Sequence, residues 1–120
     1  MSNTPTPMAS SRYLRFLSVA LTHAKEAPMS QLDANETAVL EAIAIKEYEG
    51  ESLKITDAMS ISSLGAPATL HRRIARLRKL GAVSVVTDPV DSRIKTLVVT
   101  DAVRNYFERM GQAILDLDKT

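Results

Sequence analysis

The segment PATLHRRIARLRKLGAVSVVTDPVDSRIKTLVVT, residues 67–100, changes its periodicity once along its length, and that change decides the fold. In the first half Leu70, Ile74, Leu77 and Leu80 recur at three and four residues, the spacing of one face of an α-helix. Pro67 suits the first helical turn, where its missing N–H has no intrahelical partner to lose, and Gly81 suits the position just past the last turn. In the second half two runs of strand formers, 82–87 and 94–100, flank a connection that holds Pro89, Asp88 and Asp91. Turn residues between strand-forming runs predict a hairpin. A helix running directly into a hairpin is therefore the central expectation.

The helix has two chemically distinct faces. Opposite the leucine stripe lie Ala68, Arg72, Ala75, Arg76 and Lys79, with Thr69 and His71 on the shoulders. A short helical signal precedes it from Thr56 to about Ser60, with Thr56 placed to cap and Asp57 behind it; the stretch Ser62-Ser63-Leu64-Gly65 then breaks the pattern. Two short helices joined by a turn, the second apolar inside and basic outside, make a helix-turn-helix. In that motif the first turns of the second helix reach base edges in the major groove. Ala68, Thr69, His71 and Arg72 are the candidate base readers, and Arg76 and Lys79, further along, the candidate phosphate contacts. A surface helix with scattered arginines is the plainer alternative, and His71 on a shoulder is more often a packing or solvent residue than a base reader.

The hairpin tips that balance. A two-stranded wing places its tip beside the minor groove, whose negative potential attracts an inserted arginine. Arg93 stands in the connection, and Asp91, two residues away, can hold its guanidinium in one direction. Ordering a long side chain in advance lowers the entropy cost of binding. Lys95 adds a further cation to the same stretch. Away from the helix, the same pair would read as an ordinary surface salt bridge.

The rest of the chain bounds the possibilities. Its 120 residues make one domain, with a net charge of +1 that hides a segregation. From Asp33 to Asp57 seven acids face two lysines, whereas from Ala58 to Lys95 seven basic residues face two aspartates. A basic block confined to one stretch points to a polyanion partner. The absence of cysteine excludes disulfides and thiolate metal sites, and His23 and His71 have no partner at ligand spacing, so no metal and no cofactor is expected. No carboxylate pair, nucleophile with base or phosphate-cradling glycine loop suggests an enzyme. Residues 1–9 read as a disordered tail without the features of a signal peptide, and no apolar run reaches membrane-spanning length, so a cytoplasmic location is expected.

Residues 10–120 form the predicted domain, with 33–100 as its DNA-binding core. A capping-box spacing, Asp33-Ala34-Asn35-Glu36, opens a helix carrying Val39, Leu40, Ile43 and Ala44. Thr100 is placed to cap the last helix. The flanking helices, 10–27 and 101–118, carry the stripes Tyr13, Leu14, Leu17, Leu21 and Tyr106, Phe107, Met110, Ile114, Leu117. These are richer than a small core needs, and a homodimer that completes their burial across a two-fold axis is expected.

The wing segment Asp88-Pro-Val-Asp91-Ser-Arg93-Ile-Lys-Thr-Leu-Val-Val-Thr100 resembles the wing of MarR-family transcriptional regulators, which carries D-x-R followed by a strand and a threonine. Leu32–Leu40 resembles that family's helix entry, and Thr69–Gly81 its recognition helix. The resemblance covers about residues 32–100. It implies a mainly α winged helix-turn-helix with a two-stranded β-wing, acting as a dimer on double-stranded DNA. Arg93 would then lie in the minor groove with Asp91 orienting it, and Thr69, His71 and Arg72 would take recognition-helix positions. Ser84 departs from the basic residue that the family commonly has after the glycine. The chain also carries less C-terminal helix than fuller members use for dimerisation and ligand binding, so a small-molecule effector is conceivable but not expected. The alternative, from another class, is a winged-helix protein-interaction module using an acidic face of Glu36, Glu41, Glu47, Glu49 and Glu51.

Overall fold

Residue Asp33 ends an extended stretch and starts a helix by exchanging two hydrogen bonds with Glu36. Its carboxylate accepts the Glu36 N–H at 2.7 Å, and its own N–H donates to Glu36 Oε1 at 3.0 Å, the reciprocal capping box that the spacing predicted. The computed structural model describes residues 8–51, 53–58 and 65–119. Its elements are α1 (Met8–His23), a 3₁₀ turn (Met29–Gln31), α2 (Ala34–Tyr48), β1 (Leu53–Lys54), α3 (Ile55–Ala58), α4 (Pro67–Lys79), β2 (Val83–Thr87), β3 (Lys95–Val99), α5 (Asp101–Leu115) and a closing 3₁₀ turn (Asp116–Asp118). This is a winged helix-turn-helix, mainly α with a small antiparallel sheet.

The core forms where the apolar stripes converge. Val39, Leu40 and Ile43 of α2 meet Leu70, Ile74 and Leu77 of α4, and Leu53, Val83, Leu97, Val99 and Val103 close the cluster from the sheet and α5. The wing strands pair antiparallel from Val83 opposite Val99 to Thr87 opposite Lys95. Alternation along β3 turns Leu97 and Val99 inward.

Several expectations need correction. The sheet has three strands in the order β1-β3-β2, because Leu53 and Lys54 pair with Leu97 and Thr96. A two-residue edge strand is too short to show a period, so nothing in the chain marks it. The short helix starts at Ile55 rather than being capped by Thr56, which lies within it. The turn expected at Met59–Ala66 falls mostly outside the described residues, as does the tail up to residue 7. Helix α1 begins at Met8 and ends at His23, earlier at both ends than 10–27. Thr100 occupies the N-cap position of α5 but makes no side-chain cap bond; its hydroxyl donates instead to the carbonyl of Gly81 at 2.7 Å.

The two flanking helices leave the core as an arm. No residue of α1 is buried, and α1 packs chiefly on α5 and on the closing 3₁₀ turn. Ion pairs of Arg12 with Asp118 and of Arg109 with Glu26, and a bond from Arg15 to the Leu117 carbonyl at 2.7 Å, hold the arm together. The molecule extends over 64 × 27 × 26 Å, with a radius of gyration of 17.6 Å against about 14 Å for a compact chain of this length.

Leu97 is fully buried where α2, α4 and the sheet meet. Leu97→Ala should cost about 2–5 kcal/mol in equilibrium urea unfolding, the range for a leucine truncation that leaves a cavity.

Candidate nucleic-acid interface

Helix α4 is closed by three bonds that also aim the wing. The Ala82 N–H reaches the Leu77 carbonyl at 2.9 Å and the Gly81 N–H the Arg78 carbonyl at 3.1 Å, a Schellman ending that needs the left-handed φ of +78° at Gly81. The third is the Thr100 hydroxyl on the Gly81 carbonyl. The end of β3 is thus tied to the same point from which β2 departs.

On α4 the apolar face is buried as expected, and Ala68, His71, Arg72, Ala75 and Lys79 lie exposed, with Thr69 half-buried. Arg72 is loosely joined to Thr69, its Nη2 3.4 Å from the hydroxyl. Arg76 behaves differently from its neighbours. Its Nε meets Glu36 Oε2 at 2.6 Å and its Nη2 donates to the Gln31 carbonyl at 3.2 Å. Arg76, expected as a phosphate contact, thus reaches two groups of its own chain while its side chain stays 53% exposed, and the carboxylate it meets is buried. The sequence held a signal for this pairing only in part: the capping box identified Glu36, but not the partner of its second oxygen.

The two acids of the wing have separate tasks. Asp88 Oδ1 accepts the N–H groups of Val90 at 2.8 Å and Asp91 at 2.9 Å, which folds the connection into a turn. Those two bonds, Asp91's first, hold the Asp88 carboxyl below the usual carboxylate range, with a smaller pull from Lys54. Asp91 instead grips Arg93 with both oxygens. Nε donates to Oδ1 at 3.0 Å and Nη2 to Oδ2 at 2.9 Å, while the Arg93 N–H also donates to Oδ1. The side-chain bond to Arg93, followed by that backbone bond, lowers the Asp91 pKa and raises that of Arg93. Arg93 remains 87% exposed, so a planar cation is presented to solvent in a set direction.

Beside it a cleft of about 630 Å³ is lined by Lys54, Thr56, Ser92, Arg93 and Lys95. Lys54 was missed from sequence because it lies on the unread strand, inside a stretch whose net charge is negative. Of the five glutamates of the acidic face expected as an alternative site, three are paired within the chain. Glu36 is buried on Arg76, Glu47 pairs with Arg104 at 3.1 Å and Glu51 with Lys46 at 3.0 Å, while Glu41 and Glu49 form no ion pair among the described residues.

The expected dimer residues divide into two groups. Tyr13, Leu14 and Leu21 are each 60% exposed and Ile114 is 55% exposed, and Leu115, not anticipated, is 69% exposed. Leu17, Tyr106, Met110 and Leu117 are half-buried within the arm's own chain, and Phe107 packs against the core. Among the described residues no group of three or more His, Cys, Asp or Glu side chains could hold a metal ion, and no helix is long and apolar enough to cross a membrane.

The depressed carboxyls of Asp88 and Asp91 carry a pH consequence. A lowered folded pKa means that their support for the wing is fully present above the ordinary value of 3.8 and is lost as pH falls through the lowered one. Carbon-detected NMR titration should give both carboxyls midpoints below 3.8. Amide protection at Val90 and Asp91 should survive Asp88→Asn, which keeps the accepting oxygen, and collapse in Asp88→Ala.

No protein-family model matches the chain, and no curated protein matches it by sequence. Solved structures do match. A MarR-like transcriptional regulator from Thermotoga maritima aligns over 95% of this chain and 79% of its own, at 17% identity and a TM-score of 0.60. MepR from S. aureus bound to ethidium bromide aligns over 98% of this chain and 81% of its own, at 14% identity and a TM-score of 0.65. A MepR variant bound to an oligodeoxyribonucleotide covers the same shares at 12% identity and a TM-score of 0.60. These neighbours are MarR-family transcriptional regulators, and this chain has their winged helix-turn-helix fold.

Proposed function

We propose that this protein is a transcriptional regulator that binds double-stranded DNA as a homodimer, with α4 in the major groove and Arg93 in the minor groove. The observation that carries the reading is the Asp91–Arg93 fork. An exposed guanidinium held by two bonds at the wing loses little freedom on entering a groove, and a narrow minor groove rewards a cation there. Ala68, Thr69, His71 and Arg72 supply base contacts from the first turns of α4. Lys79, Lys54 and Lys95 supply phosphate contacts, the last two from the cleft at the foot of the wing. MepR, which shares the fold, has been captured on an oligodeoxyribonucleotide, which supports the same use of the fold here.

The arm supplies the dimer. Among the described residues Tyr13, Leu14, Leu21, Ile114 and Leu115 are apolar side chains of the arm left mostly exposed, and a two-fold mate that presents the same side chains would bury them. The two recognition helices then face half-sites about 34 Å apart. Such a regulator works in the cytoplasm. The interaction-module alternative loses ground because three of its five glutamates are already paired within the chain.

Fluorescence anisotropy on random-sequence duplex DNA tests the reading directly. With ~4 phosphates neutralised per protomer, log affinity against log salt should fall with a slope of about −7. Arg93→Ala should weaken binding about tenfold per half-site, and Asp91→Ala should weaken it too although it removes a negative charge. Tighter binding by Asp91→Ala would mean that Asp91 only repels phosphate. Sedimentation should find a dimer in the wild type and a monomer when Leu14 and Leu21 are both replaced by glutamate.

A further inference from the structure

Glu36 is the one charged side chain buried among the described residues, and both its oxygens are committed. Oε1 receives the Asp33 N–H at the entry of α2, and Oε2 receives Arg76 Nε from the middle of α4. Arg76 also bonds the Gln31 carbonyl, in the connector that leads from the arm into α2. Elsewhere α2 and α4 meet through apolar side chains. Apolar burial is non-directional, so it resists separation of two helices better than it resists their rotation or sliding. A charge-assisted bond of 2.6 Å is directional and short. Only the Glu36 side of this pair is buried, Arg76 staying 53% exposed, and taking that carboxylate out of water offsets much of the attraction, which leaves geometry as the thing the pair specifies.

We infer that Glu36 and Arg76 are positioning residues for sequence recognition: their bridge holds α4 at one rotation and height against α2, and so sets where Thr69, His71 and Arg72 meet the bases. The inference rests on the DNA-binding reading above. It separates two quantities that a phosphate contact would join. Breaking the bridge lowers discrimination between sequences and leaves the general attraction for DNA unchanged, if Arg76 spends its guanidinium on Glu36 and Gln31 and not on phosphate.

Two variants isolate the bridge. Glu36→Gln keeps the capping box, which accepts glutamine at that position, and removes the charge facing Arg76. Arg76→Lys keeps the cation and removes the fork that reaches both Glu36 and Gln31. Each is compared with wild type on the tightest duplex recovered by selection with the wild-type protein, on random duplex, and without DNA by amide hydrogen exchange along α4. In both variants the ratio of selected to random affinity should fall about tenfold, the scale of one lost base contact. Random-duplex affinity and salt slope should hold, and exchange at Leu70 to Ile74 should quicken in the free protein. An equal change on selected and random DNA, or tighter binding by Glu36→Gln on both, would overturn the inference in favour of simple electrostatics. Unchanged exchange along α4 overturns it without any DNA. Failure of the wild type to bind duplex at low salt sinks the DNA-binding reading instead, and the exchange measurement still reports whether the bridge restrains the helix.

Discussion

The bond from the Thr100 hydroxyl to the Gly81 carbonyl sits where four elements meet. Helix α4 ends there, β2 begins two residues after Gly81, β3 has just finished and α5 is about to start. Gly81 alone supplies the left-handed turn that lets the chain leave α4 toward the sheet, and Thr100 fastens the returning strand to that turn. The Thr100 N–H adds a second tie, to the Ala82 carbonyl. Because α4 and the wing strands diverge from this one point, these local bonds join the shared core in setting the angle between them.

The stripe of α4, the capping box at Asp33, the hairpin and its acid-held arginine were legible because each follows from local spacing. A helix face needs residues three and four apart, a capping box needs an acceptor and a glutamate three residues on, and a wing needs a turn between two strand-forming runs. What stayed hidden was tertiary. Arg76 lies among exposed basic residues on the helical wheel, and only the folded chain brings the spare oxygen of Glu36 within its reach. Strand β1 is two residues long and exists because β3 offers it an edge. Thr100 has the residue type and place of a helix cap, yet its hydroxyl accepts no cap N–H and donates to the Gly81 carbonyl. Local chemistry names the candidates, and three-dimensional proximity chooses among their partners.

Acids in and near the basic region follow a common logic. Asp88 spends its charge on backbone N–H groups, Asp91 on the guanidinium of the wing, and Glu36 on the guanidinium of α4. Each gives up some positive potential that would attract a polyanion. In return each fixes the direction of a group that would otherwise sample many conformations. On this surface, charge is traded for orientation.

The arm sets a different scale. It carries the exposed apolar side chains well away from the core, so in the proposed dimer each recognition helix hangs at the end of a lever whose pivot is the two-fold axis. With successive major grooves roughly 34 Å apart, each helix lies about 17 Å from that axis, so a turn of about 5° by both protomers would change their separation by about 3 Å, close to the spacing of one base along a strand. Small repacking among Leu14, Leu21 and Ile114 would therefore be read on DNA as a shift in half-site spacing. The stiffness of the arm becomes, in effect, the tolerance with which the protein measures distance.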